Sequence, residues 1–208
     1  MNPMAELEER IERDEQGRVR RRLQLDGELP VGECLTWDAE GWLAQRATFK
    51  NGLLDGQLIE YDPAGSPVAI LHHRAGKLHG QAQFFERGRP LLTTHWQDGV
   101  QDGESIVYGP DGHPTARTRY RAGELHGPAS WYRPGGLLMR AATYIDGQLE
   151  GDVLDYDERG RVTERAPHRG GKLHGEVIRY GRDGAVTERV QFVAGVEQPA
   201  VPPARRRS

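Results

Sequence analysis

A glycine-bounded pentapeptide recurs at a nearly fixed interval along this chain. Gly-Lys-Leu-His-Gly occupies 76–80 and returns unchanged at 171–175, and Gly-Glu-Leu-His-Gly occupies 123–127. The leading glycine of this motif and of its close variants stands at 27, 52, 76, 99, 123, 147, 171 and 195. A period this regular over most of a chain indicates a repeat array, in which each unit packs only on its neighbours.

Each repeat contains two strand patterns separated by turns. The pentapeptide, which we interpret as a turn, is followed by five residues that end in an aromatic, as at Tyr61 and Tyr156. A second turn is closed by glycine, as in 62–65, where proline presets φ and glycine supplies a positive φ. Ten residues of alternating character lead to the next repeat. Because no helix fits in this pattern, we predict an all-β fold in which each repeat is a β-hairpin.

The repeat boundaries predict three parts of the chain. Residues 1–26 form a charged N-terminal segment with a degenerate capping repeat, and 27–195 form seven hairpin repeats. Residues 196–208 are rich in proline and then in arginine, which predicts a disordered tail. The first sixteen residues leave two alternatives open: a short helix from Ala5 to Arg13, or a degenerate first strand.

The alternation of side chains along a strand predicts one apolar ladder on the sheet. Large residues of the first strands contribute to it, including Leu35 and Trp37. An aromatic or histidine of each second strand is expected on a common face with Leu43 and its equivalents; this series is Phe49, His73, Trp96, Tyr120, Tyr144, His168 and Phe192. We interpret the aromatics as the spine of the sheet rather than as a binding surface.

The other face is predicted to carry the candidate binding site. In the outer repeats this face is polar, as at Thr36, Arg46, Glu60, Asp155, Arg165, Arg179 and Arg189. In the middle it becomes apolar, and the proposed partner-binding residues are Phe84, Leu91, Val107, Trp131 and Met139, with Arg117 and Arg119 as a charged rim. The alternative is that a curled sheet, a loop or a second subunit covers this patch. A register slip of one residue would exchange the two faces.

The sequence offers little for catalysis or for metal binding. His79, His126 and His174 fill the same position in alternate repeats and are expected roughly 20 Å apart, from a strand spacing near 4.8 Å. One zinc ion, which needs ligands at about 2 Å, cannot join them. Nucleophile, zinc-protease, Cys-x-x-Cys and phosphate-loop motifs do not occur. We therefore predict a protein that is not an enzyme and that uses no cofactor or metal.

Composition restricts the class of partner and the compartment. A net charge of −3 does not favour nucleic acid as the main partner. The sequence has no apolar run of about 18 residues that would suit a membrane span, and its first residues lack the apolar core of a signal peptide. The single cysteine, Cys34, cannot form an internal disulfide, which fits a reducing compartment. We expect a cytoplasmic protein.

The repeats resemble a known family. Gly-x-Leu-x-Gly followed by an aromatic, a glycine and a second aromatic is similar to the MORN (membrane occupation and recognition nexus) repeat, and more closely to its bacterial variant with a period near 24, over about 27–195. The resemblance implies one elongated, twisted, single-layer sheet of successive hairpins. It also implies an antitoxin or immunity protein that neutralises a cognate toxin, such as a type VI secretion effector, by direct binding. Since other MORN proteins are linked to scaffolding and to membrane lipids, a scaffold or lipid-binding array is the alternative.

Overall fold

The structure, a computed structural model, describes residues 7–199, and every regular element among them is a β-strand. The strands are β1 (Glu8–Arg13), β2 (Val19–Asp26), β3 (Leu29–Trp37), β4 (Leu43–Lys50), β5 (Leu53–Tyr61), β6 (Pro67–Arg74), β7 (Lys77–Glu86), β8 (Arg89–Gln97), β9 (Val100–Gln101), β10 (Gly103–Tyr108), β11 (Pro114–Arg121), β12 (Glu124–Leu125), β13 (Gly127–Tyr132), β14 (Leu138–Ile145), β15 (Gln148–Leu149), β16 (Gly151–Tyr156), β17 (Val162–Arg169), β18 (Lys172–Leu173), β19 (Gly175–Tyr180), β20 (Val186–Val193) and β21 (Val196–Glu197). Within each of the chain's two compact units, neighbouring strands of the sheet pair antiparallel, as β5 does with β6 and β16 with β17. The predicted all-β fold of tandem hairpins is confirmed.

The chain divides into two compact units, Met1–Gly112 and His113–Ser208. The first unit contains β1 to β10, and the second contains β11 to β21. In each unit the strands form antiparallel ladders in the order of the chain.

Both ends of the chain lie partly outside the described residues. Of the two N-terminal alternatives, the structure shows the strand, because β1 occupies Glu8–Arg13. Residues 1–6 and 200–208 lie outside the described part, and with them most of the predicted tail. The division into three parts stays a prediction.

Two-residue turns join the hairpins at the leading glycines. At Asn51-Gly52 both residues have positive φ, 51° and 81°. A type I′ turn requires positive φ at both central residues, which explains the glycine. The same pair of positive φ values recurs at 75–76, 98–99, 122–123, 146–147, 170–171 and 194–195. The turn covers the leading glycine and the residue before it rather than the whole pentapeptide, and β5 begins directly at Leu53.

Gly175, the second glycine of its pentapeptide, lies where two strands approach closely. Gly175 has a φ of 124°, and it pairs with Phe192 of the next strand. A Cβ atom at Gly175 would lie 2.8 Å from Cγ of Pro167 in the preceding strand. Both the backbone conformation and the lack of space therefore require glycine at this position.

Four-residue turns close the other end of most hairpins, whereas the two-residue turn Arg87-Gly88 joins β7 to β8. A bulge follows the turn in the hairpins of both kinds. Oδ1 of Asp62 accepts hydrogen bonds from the backbone N–H groups of Ala64 and Ser66 at 2.9 and 2.8 Å, which fixes the turn. Beyond it, Tyr61 pairs with Pro67 while Glu60 pairs with Ala69. The second strand therefore contains one extra residue. Equivalent register shifts occur in β3–β4, β7–β8, β13–β14, β16–β17 and β19–β20.

This bulge places the two aromatic series on opposite faces, so the prediction of one apolar ladder is wrong. Phe49 packs against the buried cluster that contains Cys34. Trp37 pairs with Leu43 and points to the other face, because its neighbour Thr36 lies on the face of Cys34. The extra residue interrupts the alternation between Leu43 and Phe49, and alternation alone had assigned them to one face.

We call the face that carries Cys34 in the first unit and Ala142 in the second the core face. Its centre is a row of mostly small, buried residues, namely Leu23, Cys34, Ala47, Leu58, Ala82, Thr94 and Ser105 in the first unit and Ala129, Ala142, Val153, Ala166 and Val177 in the second. Larger side chains such as Tyr144 and Phe192 pack against this row in the second unit. A single sheet can bury small residues in this way, because their larger neighbours on the same face cover them.

The polar residues that the sequence predicts together on one face are divided between the two faces by the same bulges. Thr36, Glu60, Asp155 and Arg179 lie on the core face, whereas Arg46, Arg165 and Arg189 lie on the opposite face. On the opposite face each arginine pairs with a carboxylate of its own hairpin, as Arg165 does with Asp152 at 2.7 Å.

Candidate partner-binding site

In the first unit, two of the predicted binding residues lie on the core face. Phe84 pairs with Leu92, and Leu92 pairs in turn with Val107. Phe84 and Val107 remain 36% and 43% exposed. Two strands earlier, the same position along the strand is occupied by Glu60, through the pairing of both strands with Ala69. The row therefore changes from charged to apolar within the first unit, as the sequence predicted.

Leu91 lies beside this row as the extra residue of a bulge. Phe85 pairs with Pro90, and the ladder then continues at Leu92. The Leu91 side chain is 42% exposed and lines a depression of about 460 Å³ together with Pro90 and Tyr108. The bulge gives this leucine no direct partner in the ladder, which accounts for its exposure.

In the second unit, Trp131 and Met139 come together at one depression on the core face. Its volume is about 210 Å³. Trp131 pairs with Arg140, and Met139 is the extra residue of the bulge between Arg140 and Leu138. The bulge turns Met139 towards the side of Trp131. The depression is further lined by Ala142, Tyr144, Leu149 and Val153.

A salt bridge closes the rim of this depression. The guanidinium of Arg140 donates hydrogen bonds to both carboxylate oxygens of Asp155, at 2.6 and 2.7 Å. These hydrogen bonds raise the pKa of Arg140 above its usual value, because they stabilise the charged guanidinium. A bidentate arginine is held in one orientation and gives the rim a fixed hydrogen-bonding edge.

Arg117 and Arg119 do not form the rim that the sequence suggested. Arg117 pairs with Ser130, the neighbour of Trp131, and therefore lies on the opposite face. Arg119, two residues further along β11, shares that face and contacts the backbone at Gly127, where a Cβ atom would lie 3.3 Å from its Cδ. Arg140 takes the place beside Trp131 that these two arginines were expected to fill.

Sequence reasoning missed Arg140, Tyr144 and Leu149 as lining residues. Alternation without a bulge assigns Tyr144 to the face away from Trp131. The available signal was the four-residue turn that ends at Gly136, because turns of this kind commonly continue into a bulge. Counting one extra residue after that turn brings Trp131, Arg140 and Tyr144 to one face.

The recurring histidines connect one repeat to the next. Nδ1 of His126 accepts a hydrogen bond from the backbone N–H of Asp146, in the next two-residue turn, at 3.3 Å. The equivalent carboxylates in other repeats do the same. Glu150 accepts a hydrogen bond from the backbone N–H of Gly170 at 2.9 Å, and Asp55 accepts one from the backbone N–H of Ala75 at 3.0 Å. The position needs a short acceptor that reaches the next turn, which explains why histidine, aspartate and glutamate all occur there.

Two further findings apply to residues 7–199. Within that range, no group of three or more histidine, cysteine, aspartate or glutamate side chains is arranged to hold a metal ion. The same range contains no helix of the length and apolarity that a membrane span needs.

Comparison with known proteins identifies the repeat type. A family model described as a MORN repeat variant matches residues 30–51, which run from β3 through the four-residue turn and β4 to the first residue of the next two-residue turn. MORN repeats are therefore present in this chain. No curated protein matches the sequence.

Proposed function

We propose that this chain is a non-enzymatic binding protein that neutralises a cognate bacterial toxin by covering its active site or substrate entrance. The observation that carries the proposal is the depression framed by Trp131 and Met139 on the core face of the second unit. Tryptophan and arginine next to a desolvated pocket are the residues that most often dominate protein–protein binding energy.

The form of the surface favours a protein as the partner. The depression is shallow and has an apolar floor, with a charged rim provided by Arg140 and Asp155. An apolar centre with a polar rim is the usual anatomy of a protein interface. An interface of roughly 800 Å² per partner would be sufficient for stable binding.

A scaffold or lipid-binding array also fits the MORN match, but the charges support it less well. Arg46, Arg165 and Arg189 of the opposite face are each paired with a carboxylate. Paired arginines add little positive potential, and adsorption to anionic lipid needs several uncompensated basic residues. We therefore prefer toxin binding as the proposed function, and we propose that the protein acts in the cytoplasm.

Co-expression with the product of the adjacent reading frame tests this function. We expect that product to stop growth alone, and growth to be restored when this chain is present. If the product is harmless alone, or still stops growth beside the wild-type chain, the proposal is lost.

A matched pair of variants connects rescue to the depression. Met139→Glu places a charge in the depression and is expected to abolish rescue. Leu137→Glu is the control, because Leu137 is similarly exposed, 49% against 39%, but does not line the depression. Equal rescue by both variants would show that binding occurs elsewhere.

A further inference from the structure

The core face of the second unit carries another depression, beyond the one beside Trp131. Its volume is about 240 Å³, and Ala166 and Val177 contribute to its lining. Phe192 and Leu173 line it as Tyr144 and Leu149 line the first depression. The two depressions therefore share an apolar floor and an aromatic–leucine wall.

Their charges differ. In the first depression the guanidinium of Arg140 is balanced by the carboxylate of Asp155. In the second, Arg179 is held by two carboxylates, Glu164 at 2.8 Å and Glu188 on the other side. A third carboxylate, Glu197, lines the same depression. Three carboxylates against one guanidinium leave this depression with an excess of negative charge.

The distance between the depressions follows from the ladder. Ala142, Val153, Ala166 and Val177 stand on four successive main strands of the core face. Two to three strand spacings of about 4.8 Å separate the two floors by about 10–14 Å. An extended segment covers about 13 Å with four residues, so one short segment can reach both.

We propose that this face binds a partner segment that carries a large apolar side chain and, about four extended residues further on, one or two lysine or arginine side chains. The apolar side chain enters the depression beside Trp131 and Met139, and the basic side chains face Glu188 and Glu197. This inference rests on the proposed function, because the segment would belong to the neutralised toxin. Charge complementarity of this kind sets the direction of the bound segment and accelerates its association.

A pair of defined peptides tests the chemistry on the full chain. The probe is a fluorescein-labelled peptide of about 12 residues with one tryptophan and, four positions later, two lysines; the matched probe has glutamates in place of the lysines. Fluorescence anisotropy should show binding of the lysine peptide only, and binding should weaken on going from about 20 mM to about 200 mM salt. Equal binding of both peptides, or binding of neither, would overturn the inference.

Two charge reversals locate the site. Glu197→Lys should weaken binding of the lysine peptide about tenfold, since it reverses a charge that faces the basic side chains. Glu158→Lys makes the same change in net charge at a four-residue turn away from both depressions and should leave binding within about twofold. Equal effects of the two reversals would contradict the assigned site.

Removal of residues 200–208 should leave the affinity for the lysine peptide unchanged. Tighter binding without them would show that the arginines of this chain occupy the depression instead of a partner.

The inference and the proposed function can fail separately. If the peptides behave as expected but co-expression gives no rescue, the surface chemistry stands and the toxin-binding function falls. If rescue succeeds and persists in the Met139→Glu, Glu197→Lys double variant, the function stands and this surface is not the site.

Discussion

The close approach at the second pentapeptide glycine can be separated from the cost of its backbone conformation. Gly175 and Gly151 hold the same position in neighbouring repeats, with φ of 124° and 84°. A Cβ atom at Gly175 would lie 2.8 Å from Cγ and 3.4 Å from Cβ of Pro167, whereas a Cβ atom at Gly151 would meet nothing within 4 Å. Replacing each glycine by alanine adds the same methyl group to a crowded and to an open site.

The expected costs follow from three terms. Alanine in place of glycine lowers the entropy of the unfolded chain and stabilises by about 0.4–1 kcal/mol. Positive φ costs an alanine about 1–2 kcal/mol near the left-handed helical region, where Gly151 lies, so Gly151→Ala should destabilise by about 1 kcal/mol. The φ of 124° at Gly175 lies further from that region, so it costs an alanine at least as much. At Gly175 the collision with a rigid proline ring adds about 1–3 kcal/mol of overpacking, which gives a total near 3 kcal/mol.

Urea unfolding followed by far-ultraviolet circular dichroism measures both costs. The two variants should have lower midpoints than the wild type at similar slope, with Gly175→Ala lower by the equivalent of about 2 kcal/mol. Equal destabilisation by both would show that the backbone conformation alone requires glycine. A neutral Gly175→Ala would refute the argument from close approach.

Three other changes test how the hairpins are held together. Tyr144→Ala should destabilise the second unit by about 2–3 kcal/mol in the same unfolding assay, because it uncovers the buried cluster, and unchanged stability would contradict that packing. His126→Ala removes the acceptor for the backbone N–H of Asp146 and should cost about 1 kcal/mol, while His126→Asn, which keeps an acceptor, should cost less. The backbone N–H and the guanidinium of Arg161 lower the pKa of Asp157 to about 2, below its ordinary 3.8. Since the folded pKa is the lower one, this carboxylate stabilises the fold above about pH 4, and the effect is lost as the pH falls towards 2. Asp157→Asn should therefore lower the melting temperature at pH 7, and the difference in melting temperature from the wild type should be smaller at pH 2. A difference that does not change with pH would contradict this prediction.

The period of the glycines was sufficient to predict the hairpins, because the second central residue of each type I′ turn between repeats has a φ between 76° and 87°, which strongly favours glycine. Asn51 and Gly52 illustrate this, with positive φ at both positions. The assignment of faces failed for an equally local reason. Leu43 and Phe49 are six residues apart, an even number, so alternation assigns them to one face, and the bulge between them leaves no mark in the spacing because every repeat contains it.

The candidate site was predicted in part for the same reason. Phe84, Val107 and Trp131 belong to first strands, in which no bulge interrupts the alternation before the turn, so their place on the core face of each unit could be recognised from the sequence. Arg140 and Tyr144 belong to a second strand and lie beyond its bulge. There, an even or odd number of residues between two positions no longer indicates whether they share a face. Arg117 was placed on the wrong side of β11 by the same count.

The repeat also shows which position of the core face tolerates variation. One first-strand position on the core face, next to the turn within the hairpin, is filled in successive repeats by Thr36, Glu60, Phe84, Val107, Trp131, Asp155 and Arg179. The central row of the same face stays uncharged and mostly small, since its side chains have to be covered by their neighbours. The first-strand position next to the turn has no such limit, because it borders solvent. The central row therefore maintains the fold, while the first-strand position can vary freely, from an aromatic side chain at Trp131 to a charged one at Arg179.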